Sequence, residues 1–170
     1  GAIEGFLFPF LATLPGATET LYGISLSVTC LSESLVFWKA GQLMRWIEGV
    51  GVVHICFAAF TVRLFAYMAM KLVNANAWIV LLIEPLHGLT FALTWTWLID
   101  EAKRYGSSCR LESFCVAVAT SAMFGCGYAL GGCAAGMAFS MSPGLAFVPS
   151  LAVLLVGWRS YHLRASTTRP

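Results

Sequence analysis

Residues 77–99 read AWIVLLIEPLHGLTFALTWTWLI. A bilayer's hydrocarbon core of about 30 Å takes about 20 apolar residues per helical crossing. This run is long enough for one, yet Glu84, Pro85 and His87 lie well inside it. A carboxylate and an imidazole are costly at that depth, and the default reading of such groups is an ion or substrate pathway. Glu4, Glu33 and Arg63 stand in apolar stretches of the same kind.

The whole chain shares this character. Of its 170 residues 59% are hydrophobic and 11% charged, with a mean hydropathy of +0.80, whereas about 25% of residues are charged in ordinary soluble domains. It is an integral membrane protein. Further apolar runs cover 20–38, 49–70, 111–134 and 144–161, with a shorter one at 2–13. Alternating segments of a transmembrane β-barrel are absent, so the fold class is all-α and polytopic. The opening run is too short to span and lacks the basic start of a signal peptide. Because Gly1 is not an initiator Met, the expectation is a chain that begins within a helix: six crossings, the first truncated, in one bundle with no soluble domain.

Lys39, Arg45, Lys103, Arg104, Arg110, Arg159, Arg164 and Arg169 fall on one side of this arrangement, while the alternate loops at 14–19, 71–76 and 138–143 hold only Lys71. Basic residues are retained on the cytoplasmic side, which places the C-terminus there. No strip of basic and aromatic residues suggests nucleic acid. Trp38, Trp46, Trp78, Tyr105, Trp158 and Tyr161 read as interfacial anchors. Cys30, Cys56, Cys115, Cys126 and Cys133 lie within spans and Cys109 in a loop, with no metal-ligand spacing; they read as free packing thiols, and no metal or cofactor is expected. The fifth span carries small-x-x-x-small patterns through Gly127, Gly131, Gly132 and Gly136, which suit close helix packing in lipid. The last span reads as peripheral and lipid-facing, bent at Pro149, which frees the Leu145 carbonyl.

Depth follows from the rise of 1.5 Å per residue: Glu84, Arg63 and Glu4 share a level roughly 10–13 Å from the outer surface, with His87 and Glu33 deeper. On one span Glu84, His87, Phe91 and Trp95 recur at i, i+3, i+7 and i+11, and on another Tyr22, Ser25, Thr29 and Glu33 repeat that spacing. Two polar stripes with aromatic members suit a water-filled cavity for a polar organic ligand; Ser25 and Thr29 equally suit helix-to-helix hydrogen bonds. Pro85 frees the Leu81 carbonyl and Pro9 that of Gly5, and broken spans near a midplane site are a transporter device. Three carboxylates face one Arg, so a simple Arg63–Glu84 ion pair leaves Glu33 and His87 unexplained. Glu84-x-x-His87 is half of a di-iron ligand set, present in a single copy. His54 and His162 read as incidental. No hydrolase, metalloprotease or phosphate-loop motif occurs, so an enzyme is not expected.

These residues match a known pattern. The stretch 83–93, IEPLHGLTFAL, resembles the tenth span of the lactose-permease-like branch of the major facilitator superfamily, including its animal orphan members of the MHC-receptor-2 type. The stretch 3–8, IEGFLF, is similar to the seventh span, 25–33, SLSVTCLSE, to the eighth, and 41–45, GQLMR, to a shortened form of the loop motif between the eighth and ninth. The resemblance implies that residues 1–170 are spans seven to twelve, the C-terminal six-helix half of a twelve-span transporter. It also implies that Glu33, Arg63, His87 and Glu84 handle protons, with the acid ahead of the His, the reverse of the permease order. Met44 stands where the loop motif usually has Asp.

The expected function is proton-coupled symport of a small polar solute, a sugar among the candidates, by alternating access. Glu84 or Glu33 carries the proton, with Glu4 at the same depth as a further acid; Arg63 stabilises the deprotonated acid and His87 links proton to solute. Phe91, Trp95, Ser25 and Thr29 face the solute. The partners expected are an N-terminal six-helix half or another membrane subunit, the lipid bilayer, the solute and protons, in the plasma membrane. The alternative is a transporter-derived structural subunit whose polar residues only tie helices together. The orientation is checked by thiol labelling in sealed cells: a cysteine introduced beside Asn74 should react with an impermeant reagent from outside and Cys109 should not, and the opposite pattern inverts the topology.

Overall fold

The computed structural model describes residues 2–47 and 51–167. Helix α1 (Ala2–Leu11) is short, and α2 (Glu19–Ile47) and α3 (Val52–Leu72) follow. A 3-10 turn (Ala77–Ile79) leads into α4 (Val80–Ile83), a π-helical segment (Gly88–Leu93) and α5 (Thr94–Cys109). Then come α6 (Glu112–Thr120), a second π segment (Ser121–Cys126), α7 (Gly127–Met141), a 3-10 turn (Pro143–Phe147) and α8 (Val148–Thr167). No strand occurs among the described residues. Four stretches, Glu19–Ile47, Val52–Leu72, Glu112–Met141 and Pro143–His162, are long and apolar enough to cross a membrane, and Ala77–Ile83 with Gly88–Cys109 makes a fifth, bent by 43°. The all-α, polytopic reading holds, and the bend falls where the sequence places Pro85.

Pro85 lacks an N–H and its ring crowds the preceding turn, so α4 ends at Ile83, Glu84 and Pro85 form a turn, and Leu86 and His87 are helical again. From Gly88 the winding is π-helical, with hydrogen bonds one residue longer than in an α-helix. Gly88 is required there. A Cβ on it would lie 2.6 Å from the Ser32 carbonyl oxygen, and its N–H donates to Ser32 Oγ at 3.2 Å. Helix α2 therefore meets the broken span backbone to backbone.

The larger core lies around Phe10, Leu21, Leu64, Tyr67, Val80 and Phe147. Phe147 packs edge-on against Phe10 with ring centroids 5.1 Å apart and against Tyr67 at 5.2 Å. Above it the Lys71 ammonium donates to the carbonyl and hydroxyl of Thr13, each at 3.1 Å. A smaller cluster of Ile47, Val52, Cys56 and Leu93 holds the opposite end.

Several expectations need correction. Residues 41–45, read as a loop motif, are helical, inside α2, and Lys39 and Arg45 ride on its last turns; residues 48–50 of the connection, like Arg169, lie outside the described residues. Cys109 ends α5 instead of sitting in a loop, and the reversal into α6 is made by Arg110 in the left-handed conformation (φ 57°). Gly106 lets the chain through, since a Cβ there would meet Glu112 Cα at 2.6 Å. In both cases the apolar run stops at the edge of the hydrocarbon while the helix continues into the polar interface, where nothing obliges its hydrogen bonds to end. Pro149 does not bend the last span, because it stands in the first turn of α8, where the ring is tolerated, and the Leu145 carbonyl accepts from the Val148 N–H. Nor is that span wholly peripheral, since Phe147 and Leu151 are buried. Among the fifth-span glycines, Gly136 makes close contact, a Cβ there falling 3.2 Å from Phe6 Cζ, whereas Gly125 and Gly132 face open space.

These contacts separate two glycine classes. Gly88→Val should destabilise the protein by about 1–3 kcal/mol through overpacking, while Gly132→Ala should be neutral or stabilising by up to about 1 kcal/mol. Thermal melts in detergent check both, and a wild-type melt for Gly88→Val would refute the backbone contact.

Candidate functional site

Arg63 and Tyr67 are one helical turn apart on α3 and point to the same side. The break at Pro85 carries Glu84, His87 and Thr90 past them, and α2 supplies Thr29, Ser32 and Glu33 from across the Gly88 contact. The guanidinium of Arg63 is 0% exposed. Its Nη1 lies 2.9 Å from His87 Nδ1 and donates to Thr90 Oγ1 at 2.8 Å. Its Nη2 donates to the Tyr67 hydroxyl at 2.9 Å and stands 3.7 Å from Glu84 Oε2.

Glu84 is held more closely by neutral donors than by the cation. Tyr67 donates to its Oε1 at 2.7 Å and Thr29 to its Oε2 at 2.6 Å. Both oxygens accept, as suits an ionised carboxylate beside a guanidinium. Tyr67 accepts from Arg63 and donates to Glu84, so the ion pair is partly relayed through a phenol.

His87 connects a second carboxylate. Arginine has no acceptor, so Nδ1 facing Nη1 is the unprotonated nitrogen and the neutral ring carries its proton on Nε2. That nitrogen lies 2.7 Å from Glu33 Oε1, and the N–H donates to it. Glu33 is the open end of the chain of contacts, its side chain 24% exposed against 2% for Glu84. Two carboxylates thus report to one guanidinium, Glu84 through Tyr67 and directly, Glu33 through an imidazole. A proton added at His87 Nδ1 would face an N–H donor and break the link to Arg63.

The ring of Phe91 stacks on His87 with centroids 5.7 Å apart. Phe91 and Trp95 both meet Phe124, at 6.2 and 5.1 Å, and Phe124 meets Tyr128 at 5.6 Å. An aromatic surface therefore continues from the imidazole onto the span that follows. Ser25 is buried on α2 one turn before Thr29, and its hydroxyl, like Arg63 Nε, is without a hydrogen-bond partner among the described residues. Glu4 stands in the first turn of α1, exposed.

Glu33, Arg63, Glu84, His87, Thr29 and Phe91 are therefore brought together as the sequence suggested, with Trp95 beside them through Phe124. Tyr67, Thr90, Ser32, Phe124 and Tyr128 were missed. Tyr67 is i+4 from Arg63 and Thr90 i+3 from His87, so helical spacing could have found them; nothing local marks Phe124 in its Gly-rich span. His54 is not incidental either, since it accepts a hydrogen bond from the Trp158 indole at 2.8 Å.

Comparison with known proteins gives the same direction. The MFS_1 like family matches residues 1–148. The chain belongs to that family, a transporter family of the major facilitator superfamily. No solved structure matches it.

The network makes a stability prediction. Arg63→Ala should cost about 3–5 kcal/mol by stranding Glu84, and adding Glu84→Ala should recover much of it. Tyr67→Phe should cost about 1–3 kcal/mol through its unsatisfied neighbours. A double-mutant cycle on thermal melts checks the coupling, and additive losses for Arg63 and Glu84 would rule it out.

Proposed function

We propose that this member of the family is part of a secondary active transporter performing proton-coupled symport of a small polar solute, a sugar among the candidates. The observation that supports this reading is the hydrogen-bonded line from Glu33 through His87 and Arg63 to the buried Glu84. A static tie needs one acid for one Arg. Here a second acid is attached through the side chain type best suited to exchanging a proton near neutrality. Buried ionisable groups of this kind mark proton relays in transporters.

In this reading Glu33, the more exposed acid, exchanges the proton with the cavity, and His87 converts its protonation into a choice for Arg63. With His87 neutral, Arg63 is shared between the imidazole and Glu84. With His87 protonated, its Nδ1 no longer accepts, and Arg63 shifts wholly onto Tyr67 and Glu84. Phe91 and Trp95 offer faces to the apolar side of a sugar ring; the Thr29 hydroxyl, whose proton goes to Glu84, keeps a lone pair for its polar edge, and the buried Ser25 hydroxyl one turn away joins it when the helices part. The solute path runs between this bundle and a second six-helix bundle, consistent with the exposure of Phe124 and Tyr128, and alternating access moves the two against each other. The plasma membrane and a cytoplasmic C-terminus belong to the same proposal.

The competing reading is a structural subunit of a larger membrane complex. It is favoured by the fact that Glu84 has both oxygens satisfied within the chain. Transport separates the two. In sealed vesicles holding the intact protein, Glu84→Gln and Glu33→Gln should each abolish proton-driven accumulation, while solute exchange, which needs no deprotonation, survives. Normal accumulation by Glu84→Gln leaves Glu33 as the carrier, and normal accumulation by both variants removes proton coupling through this site.

A further inference from the structure

The end of the bundle that gathers the basic residues holds another polar assembly, nine positions along α3 from Arg63 and therefore about 13 Å away. His54, in the first turn of α3, accepts the Trp158 indole N–H at Nδ1, 2.8 Å away. An indole can only donate, so the neutral His54 ring carries its proton on Nε2. The rings of Tyr161 and His162 lie 5.5 and 5.9 Å from that of His54. Trp158 in turn lies parallel to Phe57, with centroids 6.1 Å apart and planes 10° from parallel. His54, Leu155, Trp158, Arg159 and His162 line a cavity of about 540 Å³ between α3 and α8.

We propose that this cavity binds the phosphate-bearing headgroup of an anionic phospholipid. Among the described residues its lining supplies one guanidinium, two imidazoles and no carboxylate. Arg159 is in no ion pair among the described residues, whereas Arg104, in the neighbouring cavity beyond Tyr161, is already paired with Glu101 at 2.6 Å. A guanidinium and N–H donors match phosphate oxygens. The other wall is apolar, made by the exposed Leu155 and the face of Trp158 on α8. That combination fits a headgroup with attached acyl chains better than a free anion, and it stands at the level where Trp and Tyr anchor to the interface. Basic pockets between spans at this end of a membrane protein are suited to anionic headgroups. The inference is independent of whether the protein transports.

The intact protein, delipidated in detergent, is titrated with phosphatidylglycerol carrying brominated acyl chains, and the quenching of Trp158 is taken as the difference between wild type and Trp158→Phe. Half-quenching is expected at about fivefold lower lipid than with brominated phosphatidylcholine, the effect of one cation beside an anionic headgroup. Arg159→Gln, at an exposed position, should abolish that preference and leave the phosphatidylcholine curve in place, which also reports that the variant is folded. Inorganic phosphate should not displace the lipid. Equal quenching by both lipids, or a preference unchanged in Arg159→Gln, overturns the proposal. Displacement by inorganic phosphate at concentrations comparable to the lipid overturns it in favour of a free-anion site.

Discussion

A guanidinium does not give up its proton, so once Arg63 is fully buried everything around it has to accept. Removing such a cation from water costs several kcal/mol even after relaxation, and that cost is offset only by well-placed oxygens and nitrogens. This single demand organises the bundle's interior. It selects the tautomer of His87, and the tautomer in turn aims a donor at Glu33 on α2. It holds Tyr67 so that the phenol proton is free for Glu84. Helices α2 and α3 and the broken span are joined through groups that would each be intolerable alone. With those groups closed on one another, Leu64, Val80 and Ile83 can pack as an ordinary apolar core.

The break at Pro85 is what makes the arrangement reachable. Around the break Glu84 and His87 both reach one guanidinium while Gly88 comes against the backbone of Ser32. The proline ends one helical direction, the π segment begins the next with an altered register, and the glycine lets α2 approach. Polar chemistry and backbone irregularity therefore coincide, as they do where non-regular backbone at membrane depth lines a cavity and is not exposed to lipid.

Much of this could be read in the chain. Hydropathy sets the number and course of the spans because lipid forces every backbone group into a helix, and ionisable residues stand out against an apolar background, which is why Glu33, Arg63, Glu84 and His87 were visible. Neutral partners do not stand out. Tyr67 and Thr90 look like ordinary span residues until a buried charge is known to need them. The ends of α2 and α5 were missed because hydropathy measures the lipid, not the helix. The pairing of Trp158 with His54, 104 positions apart, left no local trace at all, and the glycines at 125 and 132 have a spacing that promises contacts this chain does not itself make.

The two π segments, Gly88–Leu93 and Ser121–Cys126, face one another through Phe91 and Phe124. Each is an added residue in an otherwise regular spiral, comparable to a dislocation in a crystal. Everything beyond it is turned by about 100°, one residue's share of an α-turn. The azimuth of Trp95 relative to His87, and of Tyr128 relative to Thr120, is thus encoded by residue count as much as by side-chain chemistry. Deleting one residue inside either segment would shorten its span by a mere 1.5 Å or so, yet it would swing the far half of the helix, and the aromatic faces it carries, toward a different neighbour.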